Sequence, residues 1–177
     1  MSHIELEDLE SYWVYDIETY CNCFTFTVIR ADLKEAYVFE ISFRKNNITE
    51  LLAFLKRLKH SNDKLVGFNN QGFDYPVIHF IIETGPSVTA YDIFDEAQRL
   101  IESNDEDRFR NNIKNPHVKQ VDLYKIHHFD NNAKRTSLKI LKFNMRTDEL
   151  QDLPYDIFEA LTSDQIDKLI EYNINGS

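Results

Sequence analysis

A mixed β-sheet with helices on both faces is the fold predicted for this chain of 177 residues. Three observations carry the prediction. Three strand-type runs follow one another near the N-terminus with short connections, which implies an antiparallel meander. Helical periodicities then alternate with short apolar runs, which implies α/β layering. Four glycines and four prolines are too few for a long flexible linker, so the chain reads as a single domain with its own core.

The elements follow in order. Tyr12-Trp13-Val14-Tyr15 is an aromatic and β-branched run that stops at Asp16, as a buried central strand does. Phe24, Phe26 and Val28 alternate with Thr25, Thr27 and Ile29, and Ala31-Asp32 makes a turn. Residues 36–43 form a third strand with Tyr37, Phe39 and Ile41 on one face; these rings and Phe24 read as core rather than as platforms for stacking bases. Asn47 with Glu50 has the pattern of a capping box, followed by Ile48, Leu51, Leu52, Leu55 and Leu58 at helical spacing. Residues 65–68 are a short buried strand. Residues 74–82 and 90–101 read as helices, and 102–116 as a polar, mobile excursion. Residues 121–126 are expected to be the last strand, and 137–143 and 156–161 short helices. Thr162 with Gln165 is a second capping-box pattern, opening a helix to about Tyr172.

The formal net charge is −10, so the chain lacks the overall basic character of a tight, unaided nucleic-acid binder. That balance still suits a metal nuclease whose carboxylates are neutralised by cations and whose substrate is delivered by a partner domain; it also keeps a surface solvated. No apolar run approaches the roughly 20 residues of a membrane span, and the polar, acidic start is not a signal peptide. Cys21 and Cys23 are not expected to pair with each other, which fits a reducing cytoplasm.

Chemistry concentrates in two places. In Asp16-Ile17-Glu18-Thr19 the carboxylates are two apart on a strand and share a face. Adjacent carboxylates repel unless a cation lies between them, and hard oxygen ligands suit Mg²⁺ or Mn²⁺. The bland alternative is a solvated strand end. In Gly67-Phe68-Asn69-Asn70-Gln71-Gly72-Phe73-Asp74-Tyr75-Pro76 an apolar strand runs through a turn into a helix. Asp74 is there either the helix N-cap or a carboxylate facing a neighbouring strand end. The asparagine amides are placed to bond DNA or to position the loop.

Together, "DIET" and "GFNNQGFDYP" resemble the first and second motifs of the proofreading 3′→5′ exonuclease of family B DNA polymerases, in the DEDD superfamily. Asn69, Phe73, Asp74 and Pro76 match the second motif position by position. The later "VDLYKIHHFDNNAKRTSLKILKFNM" and "ELQDLP" resemble the segment before the third motif, particularly in polymerases of tailed phages. The resemblance implies an RNase H-like fold and two metal ions held by Asp16, Glu18 and Asp74. It implies substrate contacts from Thr19, Asn69, Asn70 and Phe73, and Tyr172 as the residue orienting the attacking water. The implied substrate is a single-stranded DNA 3′ end, the implied partner a polymerase domain in the parent chain, and the implied location the host cytoplasm.

The third motif departs from the pattern. In the tyrosine-type branch it is Y-x-x-x-D, whereas Tyr172 is followed four residues later by Gly176. Gly176-Ser177 resembles an appended scar, and the expectation is a domain cut just before its fourth carboxylate. His117 and Asp122 offer the rival H-x-x-x-x-D spacing of the histidine-type branch, but Pro116 and the strand-like run after it disfavour the helix that motif occupies. His127 and His128 read as packing or loop residues. Lys134, Arg135 and Lys139 either touch phosphate or form a solvated face. Competing readings are a non-catalytic, exonuclease-like module that binds nucleic acid or a partner, and another RNase H-like nuclease acting on RNA.

Overall fold

The computed structural model describes residues 6–103, 113–127 and 155–176. The predicted helix at 137–143, the basic cluster Lys134, Arg135 and Lys139, His128 and most of the polar 102–116 stretch lie outside the described residues.

Five strands form one mixed sheet flanked by helices. Strand β1 (Tyr12–Tyr20) pairs antiparallel with β2 (Cys23–Arg30), from Trp13 opposite Arg30 to Tyr20 opposite Cys23. β2 pairs antiparallel with β3 (Ala36–Ser42). Helix α1 (Ile48–Ser61) leads into β4 (Lys64–Gly67), which is parallel to the start of β1. Helices α2 (Asp74–Thr84) and α3 (Ala90–Glu102) follow, the latter opened by a capping box of Thr89 and Asp92. Strand β5 (Lys119–Asp122) is parallel to β4, giving the order β3-β2-β1-β4-β5. A short helix α4 (Leu123–His127) and a terminal helix α5 (Ser163–Gly176) complete the described chain.

The main core joins Trp13, Tyr15 and Ile17 of β1 with Phe26, Phe39 and the helical residues Phe54, Ile78 and Ile93. A second, smaller core forms where Tyr20 and Cys23 meet Leu161, Ile166 and Leu169 around α5. β1 therefore has helices against both of its faces, as the mixed pattern predicts. Both cysteines are free thiols.

Four local expectations are corrected. β1 does not stop at Asp16; β2 pairs with it along its whole second half and keeps it extended to Tyr20. The strand expected over 121–126 ends at Asp122, whose carboxylate accepts the Tyr124 N–H and so starts α4. Residues 156–161 are not helical. The Asn22 side chain bonds both the N–H and the C=O of Leu161, and the Ile157 carbonyl accepts from Cys21, so these groups are drawn onto the β1–β2 turn. Asn47 does not cap α1: its side chain accepts from the Glu40 N–H, and Asn46 accepts from Ile48 instead. The Thr162–Gln165 box does form, each side chain accepting the other's backbone N–H.

Candidate active site

β1 alternates a buried face, with Trp13, Tyr15 and Ile17, and a partly open one, with Val14, Asp16 and Glu18. Pairing with β4 stops at Val14 opposite Val66, so Asp16 and Glu18 lie beyond the end of that neighbour. On the other side their partners are Thr27 and Thr25, both buried. The Thr27 hydroxyl sits on the same face as Asp16 and has no hydrogen-bond partner.

Asp74 reaches this region through a tightly held loop. β4 ends at Gly67, where a Cβ would lie 2.8 Å from the Asn70 Cβ, so only glycine lets the chain pass. Asn69 adopts the left-handed region at φ 58°, which asparagine tolerates well. The Asn69 carbonyl accepts from Gly72, and the Asn70 carbonyl from Tyr75. Asp122, buried at the end of β5, accepts the backbone N–H groups of Asn69 at 2.8 Å and Gln71 at 3.3 Å. Asn70 is fully buried, and its amide donates to Gln120 at 2.9 Å; the same Gln120 oxygen accepts from the Tyr15 hydroxyl. Phe73, not Asp74, occupies the N-cap position of α2, so Asp74 is the first helical residue rather than its cap.

The three carboxylates act on one another electrostatically. Burial, then the charges of Asp16 and Asp74, push Glu18 up to about 8. Asp74 is likewise held well above the usual carboxylate range, by burial first and then by Asp16. Tyr15 beside them is raised by burial and then by Asp74. Their oxygens are nevertheless not drawn into one tight cluster. Among the described residues only His79, Glu83 and His117 bring three ligating atoms within 4.8 Å of one another. A cation between Asp16, Glu18 and Asp74 would relieve the part of the rise in Glu18 and Asp74 that comes from neighbouring charge.

Tyr172 lies on α5, partly buried. Tyr20 is raised by burial, then by Glu18 and by Tyr172, which places both residues in its neighbourhood. The next residue, Asn173, is fully buried and donates to the Thr25 hydroxyl, across the sheet from Glu18. Arg44 holds this helix to the sheet. It pairs with the buried Glu40 at 2.8 Å and with Asp167 of α5 at 2.7 Å, and donates to the Ser163 carbonyl.

No protein-family model, no curated protein and no solved structure matches this chain.

Of the residues expected to touch substrate, Thr19 is partly exposed on β1, Asn69 is exposed in the loop and Phe73 packs partly buried against the core, while Asn70 is enclosed. His117 is not on a helix; it pairs with Glu83. Asp122 turns its oxygens to backbone amides. The residues missed by sequence reasoning are Gln120, Asn173, and the pair Glu40 and Arg44. Gln120 had one usable signal, its position two before Asp122 on a strand; the others depend on long-range packing with no local pattern.

Proposed function

We propose that this chain is a metal-dependent 3′→5′ exonuclease domain of the proofreading type, hydrolysing single-stranded DNA 3′ ends, with an RNase H-like fold. The observation that carries the reading is the crowding of buried carboxyls at a strand end left open by β4: burial and then Asp16 raise both Glu18 and Asp74, and Asp74 adds to the rise of Glu18. A five-stranded mixed sheet flanked by helices accommodates the fold that the two motifs imply.

The donor set fits the ions. All three side chains offer hard oxygens, and Asp16 lies opposite an unpartnered Thr27 hydroxyl on the neighbouring strand. Asp16, Glu18 and Asp74 would hold two Mg²⁺ or Mn²⁺ ions, which when bound supply a nucleophilic hydroxide at neutral pH and stabilise charge on the phosphate. The chain itself does the positioning. β1 fixes Asp16 and Glu18 on one face, and the loop anchored by Asp122 fixes Asp74. Tyr172 orients the attacking water. Asn69 and Phe73 present the surface along which the DNA end lies, while Thr19, on the opposite face of β1 from Asp16 and Glu18, can reach it only through its backbone, and Asn70 keeps the loop closed from beneath. In this reading a polymerase domain delivers the strand in the host cytoplasm, which offsets the net charge of −10.

The test is 5′-labelled single-stranded DNA with Mg²⁺ or Mn²⁺. The expected result is a ladder shortening from the 3′ end, abolished by chelation and by Asp16→Ala. One observation favours a second reading, a non-catalytic module: Gly176 stands where the third motif requires aspartate. A folded protein that binds Mn²⁺ but leaves the DNA intact, with Gly176→Asp as well as without it, decides for that reading.

A further inference from the structure

We infer that His79, Glu83 and His117 form a second metal site, for a divalent transition metal such as Zn²⁺, distinct from the Asp16, Glu18 and Asp74 centre. His79 and Glu83 lie four apart on α2 and so share a helix face; His117 comes from the segment leading into β5. Their ligating atoms all lie within 4.8 Å of one another. The Nε2 of His117 is 2.5 Å from a Glu83 carboxylate oxygen, and the His79 and His117 rings stack with centroids 5.0 Å apart.

An ion pair between His117 and Glu83 explains two of these residues but not the third. The Nδ1 of His79 is buried and has no hydrogen-bond partner, a cost that a metal–nitrogen bond or its second-sphere contact removes. Two imidazoles and a carboxylate are the donor set of three-ligand zinc sites, softer than the all-oxygen set at Asp16 and suited to a different cation. His79 and Glu83 also line a surface groove with Pro76, Arg99 and Lys114, so water has access to complete the coordination. The site joins α2 to the lead of β5. These are the two elements that carry Asp74 and Asp122, so occupancy clamps the loop between them.

The experiment uses tag-free, full-length protein carrying Asp16→Asn and Asp74→Asn, which silences the carboxylate centre. Zn²⁺ titrated by calorimetry is expected to bind at one equivalent, and Co²⁺ to develop the visible absorption of a site with nitrogen ligands. His117→Ala is expected to weaken binding about 100-fold, and Glu83→Gln about 10-fold. Should His117→Ala not fold, His79→Ala replaces it. In either case the ring nitrogens of His79 and His117, and not those of His60, are expected to shift in long-range ¹H–¹⁵N spectra of the parent protein on adding Zn²⁺. Absence of Zn²⁺ binding once the carboxylates are silenced, equal affinity in the histidine variants, or unmoved His79 and His117 signals would each overturn the inference.

Discussion

The Asp122 carboxylate accepts the Asn69 backbone N–H at 2.8 Å, joining the end of β5 to the loop that delivers Asp74. The second Asp122 oxygen takes the Gln71 N–H, so one buried side chain satisfies two amides of a turn that has no ladder partner there.

Removing that acceptor should undo the loop. Asp122→Ala is expected to lower stability by about 2 kcal/mol, because the side-chain acceptor of two part-buried loop N–H groups and of the Tyr124 N–H is lost. Asp122→Asn, which keeps one carbonyl acceptor, should lose about half as much. Urea unfolding checks both. A metal ligand behaves otherwise: its neutral isostere abolishes activity with little loss of stability. Asp122→Asn acting that way would return the histidine-type reading of His117 and Asp122 to favour.

Stability without metal should fall as pH rises. The Glu18 carboxyl moves from 4.5 up to about 8 on folding. Between those values the native state holds a proton that the unfolded chain has released. The contribution is therefore complete below pH 4.5 and is lost as pH rises through about 8. Thermal melting in a chelator across this window should show a declining Tm, flattened by Glu18→Gln. Added Mn²⁺ should raise Tm most at the alkaline end, where protons no longer compete with it. A Tm that climbs with pH in chelator contradicts the crowding of these carboxylates.

Arg44 should matter more than a surface arginine does. Glu40 is 2% exposed and Arg44 is its cation, so Arg44→Met strands a buried charge, at a cost of about 3–5 kcal/mol. The double change Glu40→Gln with Arg44→Met should recover most of it. Because Arg44 also bonds Asp167 and Ser163, the single variant should loosen α5 and reduce nuclease activity through Tyr172. Chemical denaturation and the labelled-DNA ladder report the two effects separately.

Gly176 is one helical turn beyond Tyr172 on α5. If the exonuclease reading holds, Gly176→Asp supplies the fourth carboxylate and should raise the degradation rate by about 10-fold or more. No change in rate, in a variant that folds and binds Mn²⁺ as before, shows that α5 contributes no ligand.

Half of the candidate site is legible in the amino-acid sequence. Asp16 and Glu18 declare themselves because a period of two puts them on one face, and Asp74 because its loop has a motif of its own. The supports of that loop do not. Gln120 and Asp122 act on Asn69, Asn70 and Gln71 only because β4 and β5 pair, a contact that no local pattern encodes. The error at 121–126 has the same root. Leu123 and Ile126 suit a strand or a helix equally, and the Asp122 side chain decides by accepting the Tyr124 N–H. At 156–161 the decision belongs to Asn22, far away in the chain.

The sheet order also sets an order of assembly. The β1–β2–β3 meander closes through short turns, whereas β5 reaches its place only when Lys119 finds Lys64 across a long loop. Asp16 and Glu18 are thus in position while Asp74 is still waiting for Asp122. On refolding, the far-ultraviolet signal of the helices and sheet should come first and competence to bind Mn²⁺ should lag behind it. On the exonuclease reading the chain at that stage would expose a half-built, weakly binding site, and a firm grip on the ions would come with the docking of β5.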